Sequence, residues 1–93
     1  MTSKYEAAMV FSVANGEEAT KALVEKFNAL IAENGAIENV DDWGKRRLAY
    51  PINDETEGYY IFTTMTSEPT LPAELERIAG ITEGVLRIMV IRK

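Results

Sequence analysis

Lys45-Arg46-Arg47 is the densest run of cations in this chain, and its chemistry is recognition of an anion. An arginine guanidinium forks a phosphate through two parallel N–H donors, while a lysine ammonium acts as a point charge. Several such contacts on one surface make binding strongly salt-dependent. The run leads into Leu48-Ala49-Tyr50, which reads as a buried strand, so the backbone is fixed where positive charge is densest. The competing reading is a solvated edge strand whose cations block sheet-to-sheet aggregation, and on physical grounds alone the two weigh about equally.

The cations stand out because the chain is acidic, with a net charge of −5 over 93 residues. Residues 1–43 hold Lys4, Lys21 and Lys26 against eight acids, and residues 53–76 hold six acids and no Lys or Arg. Arg77, Arg87, Arg92 and Lys93 near the end face only Glu83. Such a distribution argues against indiscriminate nucleic-acid binding and for one basic surface. Cysteine and histidine are absent, which removes disulfides, thiolates, the commonest general base and the commonest metal ligand. Asp41-Asp42 and Asp54-Glu55-Glu57 lack any metal-loop spacing and read as solvated acids. No glycine-rich phosphate loop, nucleophile elbow or zinc spacing is present. The expectation is therefore no catalytic residue, metal, cofactor or small-molecule substrate.

Elements must hold these cations in place. Tyr5 to Val13 reads as a strand with Tyr5, Ala7, Met9 and Phe11 inward and Glu6 and Ala8 outward. Asn15 is a possible N-cap for a helix whose stripe is Ala19, Leu23, Val24, Phe27, Leu30 and Ile31. Asn34-Gly35 stops that helix, with Gly35 suited to a left-handed terminus. A second strand runs from Ala36 to Ile52, with Gly44 a candidate bulge and Pro51 marking an edge. Residues 53–58 read as a hairpin loop and Tyr59 to Met65 as the third strand. Pro72 opens a second helix with Leu71, Leu75, Ile78 and Ala79 inward, ended by Gly80, and Val85 to Ile91 is the last strand.

The order β-α-β-β-α-β predicts one domain over residues 1–93. Its class is α+β, a ferredoxin-like split β-α-β arrangement with a four-stranded antiparallel sheet and two helices on one face. Alternation then predicts Leu48 and Tyr50 facing the helices, with Lys45, Arg47 and Ala49 facing away and Arg46 escaping at the strand end. In the last strand it predicts Leu86, Ile88 and Val90 facing the helices, with Arg87 and Met89 on the open face. Glu57-Gly58-Tyr59-Tyr60-Ile61-Phe62 faintly echoes the aromatic strand of RNA-recognition motifs, though core packing alone explains it. No apolar run approaches the roughly 20 residues needed to cross a bilayer, and no signal peptide is expected ahead of the first strand.

Gly44-Lys45-Arg46-Arg47-Leu48-Ala49-Tyr50-Pro51-Ile52 resembles the central signature of the bacterial small-subunit ribosomal protein number six family. Tyr5-Glu6, Gly35, Glu57-Gly58-Tyr59 and Val85-Leu86-Arg87 with Met89-Val90 match its other landmarks in order, so the resemblance covers essentially the whole chain. It implies a cytoplasmic, ribosome-bound protein that pairs with small-subunit protein eighteen and binds the central domain of 16S rRNA. It also implies that Lys45, Arg46, Arg47 and Arg87 contribute to RNA or partner contacts; Arg92 joins them as a neighbouring cation. Many members carry a C-terminal extension beyond the position of Lys93, and contacts made through such a tail are not carried over. Trp43 is given no role beyond packing. Two other readings stand beside this one. One is an RNA-independent protein-interaction module that associates through its open sheet face or edge strand. The other is an enzyme of the acylphosphatase type, disfavoured because Glu17-Glu18 sit where an anion-cradling loop is needed.

Overall fold

Alternation along the first strand holds as expected. In the computed structural model, β1 (Ser3–Ser12) buries Tyr5, Ala7, Met9 and Phe11 on one face. The structure describes residues 2–52 and 54–93. α1 (Glu17–Asn34) sets Phe27 and Ile31 against that face, with the Phe11 and Phe27 ring centroids 5.7 Å apart. β2 (Gly35–Ile52) and β3 (Glu55–Ser67) form a long hairpin. α2 (Thr70–Ile81) adds Leu71, Leu75 and Ala79 to the same core, and β4 (Val85–Arg92) closes the chain. The strand order is β2-β3-β1-β4 with every neighbouring pair antiparallel, the ferredoxin-like arrangement. β2 and β4 are its edges, as Pro51 requires of β2.

Several local expectations are corrected. Gly16, not Asn15, is the N-cap of α1, and no side chain caps it. The helix start is tied down one turn later, where the buried Thr20 Oγ1 donates to the Ser12 carbonyl at 2.8 Å. Thr20 takes the inward place expected of Ala19, which is exposed. Gly35 is extended at φ −171° and begins β2 rather than ending α1 in a left-handed turn. Its glycine is needed for space, since a Cβ there would lie 2.6 Å from the Thr66 carbonyl oxygen. Gly80 lies inside α2, which continues to Ile81. The expected loop at 53–58 shrinks because β3 already begins at Glu55; Asn53 lies outside the described residues.

The largest correction concerns which way β2 faces. Asp42 pairs with the core residue Ile61, yet Gly44 pairs with Tyr60 on the opposite face, so Trp43 is an extra residue in a bulge. Gly44 adopts φ 72° there, a conformation that favours glycine. One added residue reverses parity. Between the register shift at Glu38 and Trp43, even-numbered residues point to the helix side; after Trp43 they point to the open face. Lys45 and Arg47 therefore pair with Tyr59 and Glu57 on the helix-side parity, while Arg46, Leu48 and Tyr50 belong to the open face. The expectation that Leu48 and Tyr50 face the helices is overturned.

Leu48 is nonetheless buried, at 9% exposure, outside the helix-side core cluster. Past Arg47 the register jumps from Arg47↔Glu57 to Ile52↔Glu55, so Leu48 to Pro51 stand against Thr56 alone. This excursion folds Leu48 over Val10 on the open face, in space that Gly58 leaves. A Cβ at Gly58 would lie 2.6 Å from Val10 Cγ1 and 3.3 Å from Leu48 Cδ2. In β4 a register shift opposite Val10 and Phe11 puts Val85, Ile88 and Val90 against the core. Leu86, expected inward, is the residue the shift displaces. Arg87 and Met89 are on the open face as expected.

Gly58→Ala is expected to destabilise the protein by about 1–3 kcal/mol, because Val10 has no slack to yield and Leu48 must lift. Gly80→Ala, with nothing within 4 Å of its added methyl, is expected to stabilise it by about 0.4–1 kcal/mol. Urea unfolding of the two variants beside the parent checks both signs.

Candidate nucleic-acid interface

Every cation singled out by sequence lacks a carboxylate partner among the described residues. Ion pairs instead join Lys4 to Glu38 at 3.0 Å, Lys93 to Glu6 at 3.7 Å, and Arg77 to Glu74 one helical turn apart. Lys45, Arg46, Arg47, Arg87 and Arg92 are all exposed. An unpaired surface cation exchanges its counterions for a phosphate without first breaking an internal bond.

The five are not one patch. Arg46 and Arg87 share the open face. Arg87 pairs across the ladder with Val10, and its Nη1 donates to the Tyr50 hydroxyl at 3.1 Å. That bond bridges the two edge strands above the sheet and closes one end of a cleft of about 200 Å³ floored by Ala8, Tyr60 and Phe62. Arg46 folds back on its own strand: its Nε donates to the Trp43 carbonyl at 3.2 Å and its guanidinium carbon lies 5.6 Å from the Trp43 ring centroid. Lys45 stands on the other side, lining a groove with Lys21, Asp42 and Tyr59 between α1 and the hairpin. Arg47 lies on the same parity, opposite Glu57, beyond the last β1–β3 pair at Ser12↔Gly58. Arg92 pairs with Tyr5, five residues along β4 from Arg87 or roughly 17 Å at strand spacing, and does not join the others.

The acids beside this segment have internal work. Asp42 Oδ1 accepts from the Tyr59 hydroxyl at 2.6 Å and from the Gly44 amide at 3.0 Å, fixing the bulge. Asp41 Oδ2 accepts from the Trp43 indole N–H at 3.0 Å. The hydrogen bond to Asp42, then burial, then the Asp42 charge push the Tyr59 hydroxyl up to about 12 from its ordinary 10.0. At Glu38, the hydrogen bond from Thr66 and the contact with Lys4 hold the carboxyl below the usual carboxylate range.

A family model described as ribosomal protein S6 matches residues 4–92. The chain belongs to the ribosomal protein S6 family. It is 51% identical over 88 residues to the small ribosomal subunit protein bS6 of Clostridium novyi, covering 94% of this chain and 93% of that one. It is 47% identical over 91 residues to the bS6 protein of Clostridium perfringens, covering 97% and 96%. The crystal structure of 30S ribosomal protein S6 from Thermotoga maritima superposes with a TM-score of 0.91 at 27% identity, covering all of this chain and 89% of that one. This small-subunit ribosomal family therefore accounts for both the fold and the resemblance carried by residues 44–52.

Two features of this S6-family chain escaped the sequence reading. Trp43, expected to do no more than pack, is 48% exposed on the open face. The available signal was a lone indole beside the suspected bulge glycine, with an arginine three residues on. Tyr59 and Asp42 are also joined, and 17 residues separate them in a strand pair whose bulges hide the register from sequence.

The Tyr59 shift carries a sign. A raised tyrosine favours the protonated form in the folded state, so its contribution to stability is complete below about pH 10 and is lost as pH rises through about 12. Tyrosinate absorbance should show a step near 12 in the parent. In Asp42→Asn that step should move toward 10, because the main cause of the shift is gone.

Proposed function

We propose that this chain is a structural protein of the small ribosomal subunit that binds the central domain of 16S rRNA together with small-subunit protein eighteen. The observation that carries the reading is that, among the described residues, Lys45, Arg46, Arg47, Arg87 and Arg92 have no carboxylate partner, in a chain of net charge −5. Arg46 and Arg47, on opposite faces of one strand end, reach phosphates on either side of the hairpin. Lys45 adds a point charge on the groove side, and Arg87 acts from the open face. Arg92 contributes from a separate location. On so acidic a protein the cations supply only part of the binding energy, and a basic partner supplies the rest. The ribosome is the site of action, in the cytoplasm.

A specific observation also favours protein association. Trp43, Tyr50, Met89 and Ile91 expose large apolar surface, and Met89 and Ile91 belong to the open face with the half-buried Phe62. Such a patch fits a protein neighbour. In the proposed reading that neighbour is the partner protein; in the alternative, association proceeds without RNA.

Filter binding to a central-domain 16S rRNA fragment separates these. The chain alone should bind weakly and salt-sensitively, and adding the partner should tighten binding. Arg46→Ala with Arg47→Ala should weaken the ternary complex and lower its salt slope by about one per cation removed. Unchanged affinity and slope in that variant would count against the site. Partner binding with no RNA retention at any salt would establish the alternative.

A further inference from the structure

We infer that Trp43, with Arg46 stacked against it, is a binding site for one unpaired nucleobase of the RNA; the inference rests on the RNA-binding reading above and names what that surface holds. The chain devotes a β-bulge and a left-handed glycine to lifting this indole out of the β2–β3 ladder. Bulges re-aim side chains where function requires it. The ring is then fixed from three directions. Its N–H donates to Asp41 Oδ2 at 3.0 Å, it meets Phe62 edge-on with centroids 4.7 Å apart, and the Arg46 guanidinium lies 5.6 Å from its centroid. Despite these contacts the residue remains 48% exposed. An exposed ring held this way has already lost the rotamer freedom that binding would otherwise cost.

The surroundings select a base. Arg46 makes no ion pair among the described residues, and its Nε is occupied by the Trp43 carbonyl, so its terminal nitrogens remain to reach a phosphate or a base edge. Aromatic ring and guanidinium plane together form the surface on which single-stranded bases stack. RNA-recognition motifs present such rings from the two central strands. Here β1 offers only Ala8 opposite Phe62 and Val10 opposite Tyr60, so the second aromatic comes from the edge strand. Nothing on the ring demands one particular base, and the site is sequence-tolerant.

The test uses the full chain and two probes, a labelled single-stranded hexa-adenylate at low salt and the central-domain rRNA fragment with the partner protein. Trp43 is the sole tryptophan, so its emission reports the site directly. Hexa-adenylate should quench that emission, and an RNA duplex of equal length should not. Trp43→Leu should weaken both complexes about tenfold or more, and Trp43→Phe should recover most of the loss. The ring is exposed, so both variants should keep the parent's unfolding midpoint within a few degrees. Equal RNA affinity in Trp43→Leu and parent, with binding still lost on replacing Arg46 and Arg47, would overturn the stacking site and leave RNA binding intact. Emission changed by the partner protein alone, with no further change on adding RNA, would assign the ring to a protein contact and overturn it too. A parent chain that retains neither probe would overturn both readings.

Discussion

The β2–β3 hairpin outruns the sheet that supports it. β1 pairs with β3 only as far as Ser12↔Gly58, while β2 spans 18 residues and β3 13. Beyond that point no third strand pairs with the hairpin among the described residues, so its apolar residues must find burial elsewhere. Leu48 finds it by folding back onto the open face over Val10, while Tyr50 stays exposed and meets Arg87 through its hydroxyl. Burying a leucine this way is worth about 1.5–3 kcal/mol, which is large beside the stability of so small a domain. The placement of the cationic run follows, because Lys45 to Arg47 lie between the bulge at Trp43 and this excursion and are oriented by both.

The sequence made the architecture plain where period and polarity agreed. β1 and both helices bury, or pack partly buried against the core, every residue their patterns nominate except Ala19, and Pro51 makes the edge position of β2 readable. Errors gathered where a single residue changes parity. Trp43 in β2 and Leu86 in β4 each displace the alternation, and neither insertion alters composition or hydropathy. Leu48 exposes a second limit: apolar character predicts burial, but not against which face. The candidate site inherited both problems. The cations were nominated from their number and spacing, whereas their division between two faces depends on a register that no local pattern encodes.

Charge on this molecule is sorted by partner. Away from the hairpin, Lys4, Arg77 and Lys93 meet carboxylates. At the hairpin, Asp41 and Asp42 take neutral N–H and O–H donors, and Lys45 to Arg47 make no ion pair among the described residues. Exposed ion pairs contribute little to stability, so pairing Lys45 to Arg47 internally would have gained little for the fold. The two acids instead tie down the bulge at Trp43 and Gly44.

The bond between Arg87 and Tyr50 spans 37 residues of sequence, joining the last strand to the far end of a local hairpin. Hairpins close early because their contacts are near in sequence; contacts of this separation wait for loop closure. The contact at Tyr50 therefore forms only after β4 has docked. During synthesis β4 emerges after the other five described elements. A chain not yet extended to β4 lacks Arg87, and with it the contact that holds the Tyr50 hydroxyl. Docking of β4 thus also ties down the free end of the hairpin.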